Sequence, residues 1–479
     1  MNTLPPAYVD QMKRLLGEAG FFAYERALCS PVTRALRVNL LRCPDGVPPC
    51  EIEGLGAPVP WAKGAYFVEG DARPGLSPLH EGGLYYLQEP SALSAVTALD
   101  PRPGEHILDL CAAPGGKSTQ IAALMGGQGL LVCNEPVPSR AQVLSRNIER
   151  MGVANAVVTS ALPDALAERF PAFFDRILVD APCSGEGMFR RQMEARDEWS
   201  ENAPRGCADR QLKILESACR MLAPGGTMVY STCTFNDTEN EGVLARLLDA
   251  HPELSPVPFA LPGLPEAKSG YVHLYPHEIR GEGHFVSLLR KRADAPGAPE
   301  TLVPETLVPE TLVPEALVPE TFMPERAPAP RGKKALPARK PGKDAPGEAA
   351  LPQGVLRPGV VFPRLHLAGG ALWSLPEGID IARLDGLRVL RTGLLLAHAE
   401  GRRMEPDHAL AMALFPEQAA RTAELTIEQA LLYQAGEALA LGERESGYTL
   451  MTCCGVPLGF GKQAGGLMKN HYPKGLRRR

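Results

Sequence analysis

The stretch "ILDLCAAPGGKST" (Ile107–Thr119) decides the fold. A short apolar run comes first, Gly115 and Gly116 follow it, and a helical pattern begins at about Lys117. A buried strand that turns into a helix is the repeating unit of a parallel sheet covered by helices. The two glycines allow a tight turn and a close approach of the backbone to a ligand. The stretch therefore predicts a ligand site at the carboxyl end of this strand.

Apolar runs and helical patterns alternate after that turn. The patterns predict strands at "GLLVCNE", "NAVVTS", "DRILVD", "TMVYST" and "HFVSLLRK", and helices at "SRAQVLSRNIERMG" and "RQLKILESACRMLAPGG". Alternation of this kind predicts an α/β fold over residues 101–292, with helices on both faces of a parallel sheet. Residues 1–100 carry two helical patterns, "YVDQMKRLLGEAG" and "FFAYERALCS", and one strand pattern, "TRALRVNLL", which predict a small α+β domain.

A proline repeat divides the chain. Variants of "ETLVP" run from Glu300 to Pro324, and a proline at every fifth position excludes both a helix and a central strand. We therefore predict that residues 293–352 form a disordered, semi-extended linker. Beyond it we expect an intermediate domain at residues 353–422 and a small β-rich module at residues 423–479.

Composition limits the class of protein. The chain has 479 residues, of which 44% are apolar and 22% charged, as in globular proteins of several domains. No segment has the roughly 18 consecutive apolar residues of a membrane helix, and the N-terminus lacks a signal-peptide pattern, so we expect a cytoplasmic protein without membrane contact. The 11 cysteines include no C-x-x-C pair, so neither disulfides nor a metal site are predicted.

The glycine turn predicts a nucleoside cofactor that lacks phosphates. Its spacing fits neither G-x-G-x-x-G nor the phosphate-loop pattern. Glu135 ends the second predicted strand about 20 residues later, where a carboxylate can accept hydrogen bonds from both ribose hydroxyls. S-adenosyl-L-methionine satisfies these conditions. The alternative is a structural strand–turn–helix unit followed by an acidic surface residue.

Two further stretches place a cysteine after an apolar run. "VDAPCSGEG" (Val179–Gly187) contains Cys183, and "YSTCTF" (Tyr230–Phe235) contains Cys233. Ligands on parallel sheets bind beyond the carboxyl ends of the strands, and both cysteines lie at such ends.

These motifs occur in the order of a known family. "DLCAAPGGKST", "DAPCSGEGMFR" and "STCTFNDTENE" resemble motifs of the RNA cytosine-5 methyltransferases of the Nop2/Sun/RsmB group. "YLQEPSAL" and the chain end "GYTLMTCCGVPLGFGKQAGGLMKNHYPKGLR" are similar to the ribosomal small-subunit methyltransferase F type. The resemblance implies a Rossmann-like class I methyltransferase core, an N-terminal RNA-binding α+β domain and a C-terminal PUA-like RNA-binding module. It also implies a monomeric enzyme that methylates cytosine C5 in 16S rRNA, free or within the small ribosomal subunit.

The same resemblance assigns roles to residues. Cys233 is the nucleophile that adds to cytosine C6, because a thiolate at C6 makes C5 nucleophilic. Cys183 assists release of the adduct, and Asp180 contacts the cytosine edge or the cofactor. The residues expected to bind the cofactor are Cys111, Ala112, Ala113, Pro114, Gly115, Gly116 and Lys117 around the methionine moiety, Glu135 at the ribose, and Arg140 nearby. For the acidic residue expected near adenine, Asp164 is only an approximate match.

The sequence also predicts residues that contact RNA and leaves two alternative functions open. The net charge of −5 requires local basic patches, and the target base must be unpaired or extruded. The residues expected to contact phosphates are Arg190, Arg191, Lys469, Lys474 and Arg477 to Arg479. The alternatives are a tRNA cytosine-5 methyltransferase and a catalytically silent RNA-binding assembly factor. The presence of both cysteines and the glycine turn argues against a catalytically silent protein.

Overall fold

The computed structural model describes residues 4–191, 193–295, 351–401, 403–442 and 445–478. The proline repeat lies outside the described residues, as does Arg479, so the expectations about both stay predictions. Within the described ranges, no helix is both long and apolar enough to cross a membrane.

The N-terminal domain combines one bent helix with an antiparallel sheet. Helix α1 (Pro6–Leu28) contains both predicted helices and bends at Gly17, whose φ of 70° is not helical. The sheet strands are β1 (Ala35–Val38), β2 (Leu55–Pro58), β3 (Ala65–Val68) and β4 (Tyr85–Gln88), with the short helix α2 (Pro78–Glu81) before the last of them. Their order in the sheet is β2–β3–β1–β4.

Five parallel strands form the centre of the next domain. They are β5 (His106–Asp109), β6 (Leu130–Asn134), β7 (Ala156–Thr159), β8 (Phe174–Asp180) and β9 (Leu222–Thr232). Their order is β9–β8–β5–β6–β7, so the direction of winding reverses beside β5. Ligands of doubly wound sheets bind at that reversal, beyond the carboxyl ends of the strands.

Helices cover both faces of this sheet. They are α3 (Leu93–Leu99), α4 (Gly116–Leu124), α5 (Pro138–Arg150), α6 (Pro163–Arg169), α7 (Met193–Glu198), α8 (Ala203–Met221) and α9 (Asn240–Ala250). One apolar core joins Leu108 of β5 to α6, α8 and α9, and a second joins the adjacent Ile107 to α3, α4 and α5. Successive strand residues point to opposite faces, so each strand supplies both cores. The predicted α/β class and Rossmann-like core are confirmed.

Three antiparallel strands extend the sheet on one side. They are β10 (Leu254–Pro256), β11 (Tyr271–Leu274) and β12 (His284–Lys291). Strand β12 pairs with β9 and is itself flanked by β10 and β11.

The segment after the proline repeat is joined to the core sheet. Its elements are β13 (Leu365–Ala368), β14 (Ala371–Ser374), β15 (Val389–Thr392), β16 (Leu394–Glu400), β17 (Arg403–Pro406) and α10 (His408–Ala413). Four strands form a separate antiparallel sheet in the order β13–β14–β16–β17, whereas β15 pairs with β7 at the other edge of the core sheet. The intermediate segment therefore shares a sheet with the core.

The last module packs against the first domain. It consists of β18 (Thr422–Glu424), α11 (Ile427–Ala435), β19 (Gly447–Cys453), β20 (Val456–Ala464) and β21 (Leu467–Asn470). Leu36 and Leu84 of the N-terminal domain lie in one apolar cluster with Met451 and Leu458 of the module. The two ends of the chain thus share a hydrophobic core.

Candidate active site

Two thiols face each other at the carboxyl ends of β8 and β9. The Sγ atoms of Cys183 and Cys233 are 3.3 Å apart, and both side chains are half-buried. The strands are parallel neighbours in which Asp180 is paired with Ser231, so the chain leaves both strands at the same edge. Strand pairing therefore brings together two cysteines that are 50 residues apart in sequence.

The two cysteine loops are bonded to each other. The backbone N–H of Gly187 donates to the carbonyl of Cys233 over 2.8 Å. A Cβ at Gly187 would lie only 2.9 Å from that oxygen, so this approach requires glycine. The buried carboxylate of Glu186 accepts the backbone N–H groups of Phe235 and Asn236, each at 2.9 Å. Glu186 thus fixes the chain directly after Cys233.

A second buried carboxylate, Glu239, lies behind the thiols. It accepts hydrogen bonds from the Ser184 backbone (3.1 Å), the Asn236 amide (2.8 Å) and the Gln211 amide (2.7 Å). Burial raises its pKa to about 7, against the opposing effect of these donors. Neither Glu186 nor Glu239 was singled out from the sequence, although both lie inside the cysteine motifs. An acidic residue within an otherwise buried motif is the signal that would have identified them.

The surroundings of Cys183 oppose its ionisation. The hydrogen bond with Cys233, and then burial, raise the pKa of Cys183 well above its ordinary value. Cys183 is therefore a neutral thiol at neutral pH and retains a proton beside the sulfur of Cys233.

Asp180 is held by three elements at once. Its Oδ2 accepts from Nζ of Lys117 at 2.8 Å, and its Oδ1 accepts from Oγ of Ser231 at 2.8 Å. Nε2 of His284 lies 3.4 Å from Oδ1. Burial opposes ionisation, but Lys117 and His284 outweigh it and hold the pKa of Asp180 well below its ordinary range. Asp180 is therefore an ionised acceptor that connects the glycine turn, β9 and β12; its contact with His284 was missed by the sequence analysis.

The glycine turn and Glu135 form the second half of the site. Glu135 is almost fully buried and accepts the backbone N–H of Val137 at 3.0 Å. Arg140 lies 3.3 Å from its carboxylate and also donates to the carbonyl of Ala113 at 3.2 Å. Burial raises the pKa of Glu135, whereas Arg140 lowers it. Arg140 thus directly contacts both Glu135 and the glycine turn, which were predicted to lie near one another.

The turn itself has the conformation that its glycines allow. Gly115 has a φ of 110° and precedes the first turn of α4. The side chain of Asn147 on α5 donates to the carbonyl of Pro114 at 2.9 Å, which fixes the turn from the other side. A backbone turn at a helix start, beside a buried carboxylate with free acceptor capacity, fits a nucleoside with a ribose diol and an amino-acid tail.

Comparison with known proteins agrees with this geometry. Curated relatives named "Ribosomal RNA small subunit methyltransferase F" include one from Erwinia tasmaniensis, 32% identical over 495 residues that cover 98% of this chain and 96% of the relative. Another, from Escherichia coli O139:H28, is 32% identical over 497 residues with the same coverage. The chain belongs to the RsmF family of 16S rRNA methyltransferases. As a member of this family it is an rRNA methyltransferase whose methyl donor is S-adenosyl-L-methionine.

Family descriptions and solved structures extend over every part of the RsmF-type chain. The matching descriptions are the N-terminal domain of 16S rRNA methyltransferase RsmF (residues 4–90), 16S rRNA methyltransferase RsmB/F (96–290), the RsmF rRNA methyltransferase first C-terminal domain (356–414) and the methyltransferase RsmF PUA domain (420–478). The crystal structure of PH0851 is 28% identical with a TM-score of 0.56, covering 60% of this chain and 66% of that one. NSun6 from Pyrococcus horikoshii, solved with SFG, has the same fold, with a TM-score of 0.53 at 22% identity over 60% of this chain and 98% of that one. The predicted PUA-like module is confirmed.

Asp164 contacts a neighbouring helix. Its carboxylate accepts from Ser217 and from Arg220, both at 2.6 Å. Both partners lie on α8, so Asp164 joins α6 to α8. Its contact with adenine stays a prediction.

The expectation that Arg190 contacts phosphate is wrong, whereas that for the exposed Arg191 stays a prediction. Arg190 is buried, with its Nε 2.7 Å from the carboxylate of Glu282, and it also donates to the carbonyl of Ala27 at 3.1 Å. Arg191 donates to the carbonyl of Thr33 at 2.7 Å. Both arginines therefore attach the cysteine loop to neighbouring segments.

Some basic side chains of the C-terminal tail bond to the protein, whereas others are exposed. Arg478 donates to the carbonyl of Ser77 at 3.0 Å, which attaches the tail to the N-terminal domain. Arg477 donates to the carbonyl of Tyr472 over 3.4 Å. Lys469 and Lys474 are exposed, so their contact with phosphate stays a prediction.

Arg190→Ala is expected to lower the free energy of unfolding by about 2 to 3 kcal/mol, because it leaves the buried carboxylate of Glu282 with only the more distant Arg191. Urea denaturation followed by circular dichroism measures the change. Arg205→Ala, which removes an exposed arginine, is the control and should have little effect. Weakened RNA binding at unchanged stability in Arg190→Ala would contradict the structural role.

Proposed function

We propose that this RsmF-family enzyme methylates C5 of cytosine in 16S rRNA through a covalent adduct between Cys233 and C6 of the base. The observation that carries the proposal is the pair of sulfurs 3.3 Å apart beside the ionised Asp180. A single buried thiol has an ordinary role in packing, but packing requires neither a second thiol at this distance nor a network of buried carboxylates around the pair.

The chemistry requires a nucleophile because cytosine C5 is weakly nucleophilic. The thiolate of Cys233 adds to C6, a sulfur–carbon bond forms, and the displaced electron pair makes C5 enamine-like. When bound, S-adenosyl-L-methionine supplies the methyl group to C5 from its sulfonium. Loss of the C5 proton to a base then returns the electron pair to the ring, the sulfur–C6 bond breaks, and Cys233 leaves as a thiolate.

The proton on Cys183 suits the release step. Its raised pKa keeps Cys183 as a thiol, and its S–H can donate a hydrogen bond to the sulfur of Cys233 as that sulfur becomes negative. Two neighbouring thiols do not ionise together at low cost, so the thiolate is assigned to Cys233.

Asp180 suits recognition of the base. Held as a carboxylate by Lys117 and Ser231, it can only accept hydrogen bonds. The exocyclic amine of cytosine donates such a bond, whereas uracil presents a carbonyl oxygen at the same position and would be repelled. A site in which the wrong base leaves a buried acceptor without a hydrogen bond rejects that base more strongly than a site that relies on shape alone.

Cys233→Ala is expected to abolish methyl transfer, because no other group supplies the attack on C6. Cys183→Ala is expected to leave the attack intact and slow the release, so a protein–RNA adduct should accumulate. Tritium transfer from labelled S-adenosyl-L-methionine measures the first effect, and a denaturing gel shows the adduct as a shifted band. Cys219→Ala, at a buried cysteine on α8, is the control that should give neither effect. Full activity of Cys233→Ala would refute the assignment of the nucleophile.

Glu135→Ala is expected to weaken binding of S-adenosyl-L-methionine about 10- to 100-fold, since it removes charged acceptors from the ribose hydroxyls. Calorimetric titration of the protein with the cofactor measures this change. Asp209→Ala is the matched control, because that exposed carboxylate pairs with Arg246 on α9, and it should bind as the unchanged protein does. Equal affinity of the Glu135→Ala protein would mean that the ribose lies elsewhere.

The RNA target is tested by mapping 5-methylcytosine in a strain that lacks this gene. Bisulfite converts cytosine but not 5-methylcytosine, so the expected result is one or more 16S rRNA cytosines that lose protection in the deletion strain. Restoration by the intact gene but not by the Cys233→Ala gene ties the loss to catalysis. Loss of protection only in tRNA would favour the tRNA enzyme, and no loss in any RNA would favour the silent assembly factor.

A further inference from the structure

His284 occupies a buried position beside the thiols that no motif of the family predicted. Its side chain is 3% exposed, and its Nε2 lies 3.4 Å from Oδ1 of Asp180. Within the described ranges, Nε2 has no hydrogen-bond partner, so its contact with Asp180 is a close approach and not a formed hydrogen bond. A buried ring nitrogen without a partner costs free energy, so its placement against an ionised carboxylate calls for a functional reason.

The strand register fixes this placement. Strand β12 runs antiparallel to β9, with Phe285 opposite Thr232. His284 therefore lies directly beyond the paired register, next to the position at which β9 ends and Cys233 follows. The preceding Gly283 has a φ of 113°, and a Cβ there would overlap the ring of Phe235. Glycine thus allows the start of β12 to lie against the loop that carries Cys233.

The loop before His284 is anchored from the opposite side. The backbone N–H of Glu282 donates to Glu89 at 2.8 Å, and that of Gly283 donates to Ser91 at 3.2 Å. The side chain of Glu282 pairs with Arg190 and also accepts the backbone N–H of Thr33 at 3.1 Å. The imidazole is therefore presented to Asp180 by a rigid loop.

We propose that His284 is a positioning residue for catalysis: its imidazole, held against Oδ1 of Asp180, confines that carboxylate to the orientation that receives the cytosine amine. The inference rests on the proposed function, in which Asp180 contacts the base. Lys117 donates to Oδ2, Ser231 donates to Oδ1, and the ring of His284 lies on the third side. Contacts from α4, β9 and β12 thus limit the rotation of the carboxylate.

The charges around Asp180 determine its ionisation state. Lys117 on α4 and His284 on β12 favour the carboxylate, whereas the buried carboxyl of Asp109 on β5 opposes it. The neighbouring thiols are Cys111 after β5 and the pair at the strand ends. Lys117 keeps Asp180 ionised, so the expected effect of removing the imidazole is on the orientation of the carboxylate.

His284→Phe keeps a buried ring and removes the imidazole, and His284→Leu removes it with a smaller side chain. We expect kcat/KM for 16S rRNA to fall about tenfold in both, because the acceptor for the base is misplaced, with the KM for S-adenosyl-L-methionine nearly unchanged. His284→Gln, whose polar side chain can approach the carboxylate, should restore part of the loss. The measurement is tritium transfer to 16S rRNA and to small subunits, with thermal unfolding recorded for each variant.

His273→Phe is the matched control. His273 is a half-buried histidine on β11 that pairs with Glu241 at 2.7 Å and packs on Phe285, without contact to Asp180. It should retain the kcat/KM of the unchanged enzyme. Values of kcat/KM for His284→Phe and His284→Leu that equal that of the unchanged enzyme would overturn the positioning role. Failure of the proposed function is distinct, because the unchanged enzyme would then form no 5-methylcytosine at any pH.

Discussion

The parallel pairing of β8 with β9 is the constraint on which the site depends. Asp180 lies opposite Ser231, and the cysteines follow three and two residues later. A slip of one residue in this register would turn the side chains of one strand to the other face of the sheet and separate the two sulfurs. The apolar residues on both faces of these strands oppose such a slip, since it would expose them or bury them against the wrong core. Packing of the two hydrophobic cores thus determines the distance between the sulfur atoms of Cys183 and Cys233.

Burial of several acidic groups follows from this constraint. Glu186, Glu239 and Asp180 lie within a small volume at the strand ends, and each is surrounded by donors from different elements. A buried carboxylate with too few donors destabilises a protein, whereas a fully bonded one makes the surrounding loops rigid. The donors to Glu186 include Gln11 on α1, so the N-terminal helix also takes part in fixing the cysteine loops. Aromatic packing of Tyr24 against Phe235 joins the same two segments.

Local sequence patterns predicted the structural elements that depend on residues close in sequence. The strands, the helix that follows the glycine turn and the carboxylate at the end of β6 were predictable, because each depends on residues that are close in sequence. The errors arose where a side chain finds its partner far along the chain. The motif around Arg190 does not reveal that this side chain is buried, because its partner Glu282 lies 92 residues away in the sequence. The pairing of β15 with β7 and the contact of His284 with Asp180 have the same cause: each joins segments more than 100 residues apart.

Packing contacts position the C-terminal part of the chain against the core and the N-terminal domain. Strand β15 continues the core sheet, and its Arg391 pairs with Glu149 of α5 at 2.7 Å. The PUA module meets the N-terminal domain through a shared apolar cluster and through Gln434, which donates to the carbonyl of Pro78. That domain in turn holds the loop of His284. A continuous series of buried contacts therefore runs from the PUA module to the thiol pair. Because buried contacts have discrete arrangements, the series fixes the distance between the exposed Lys469 and the cysteines.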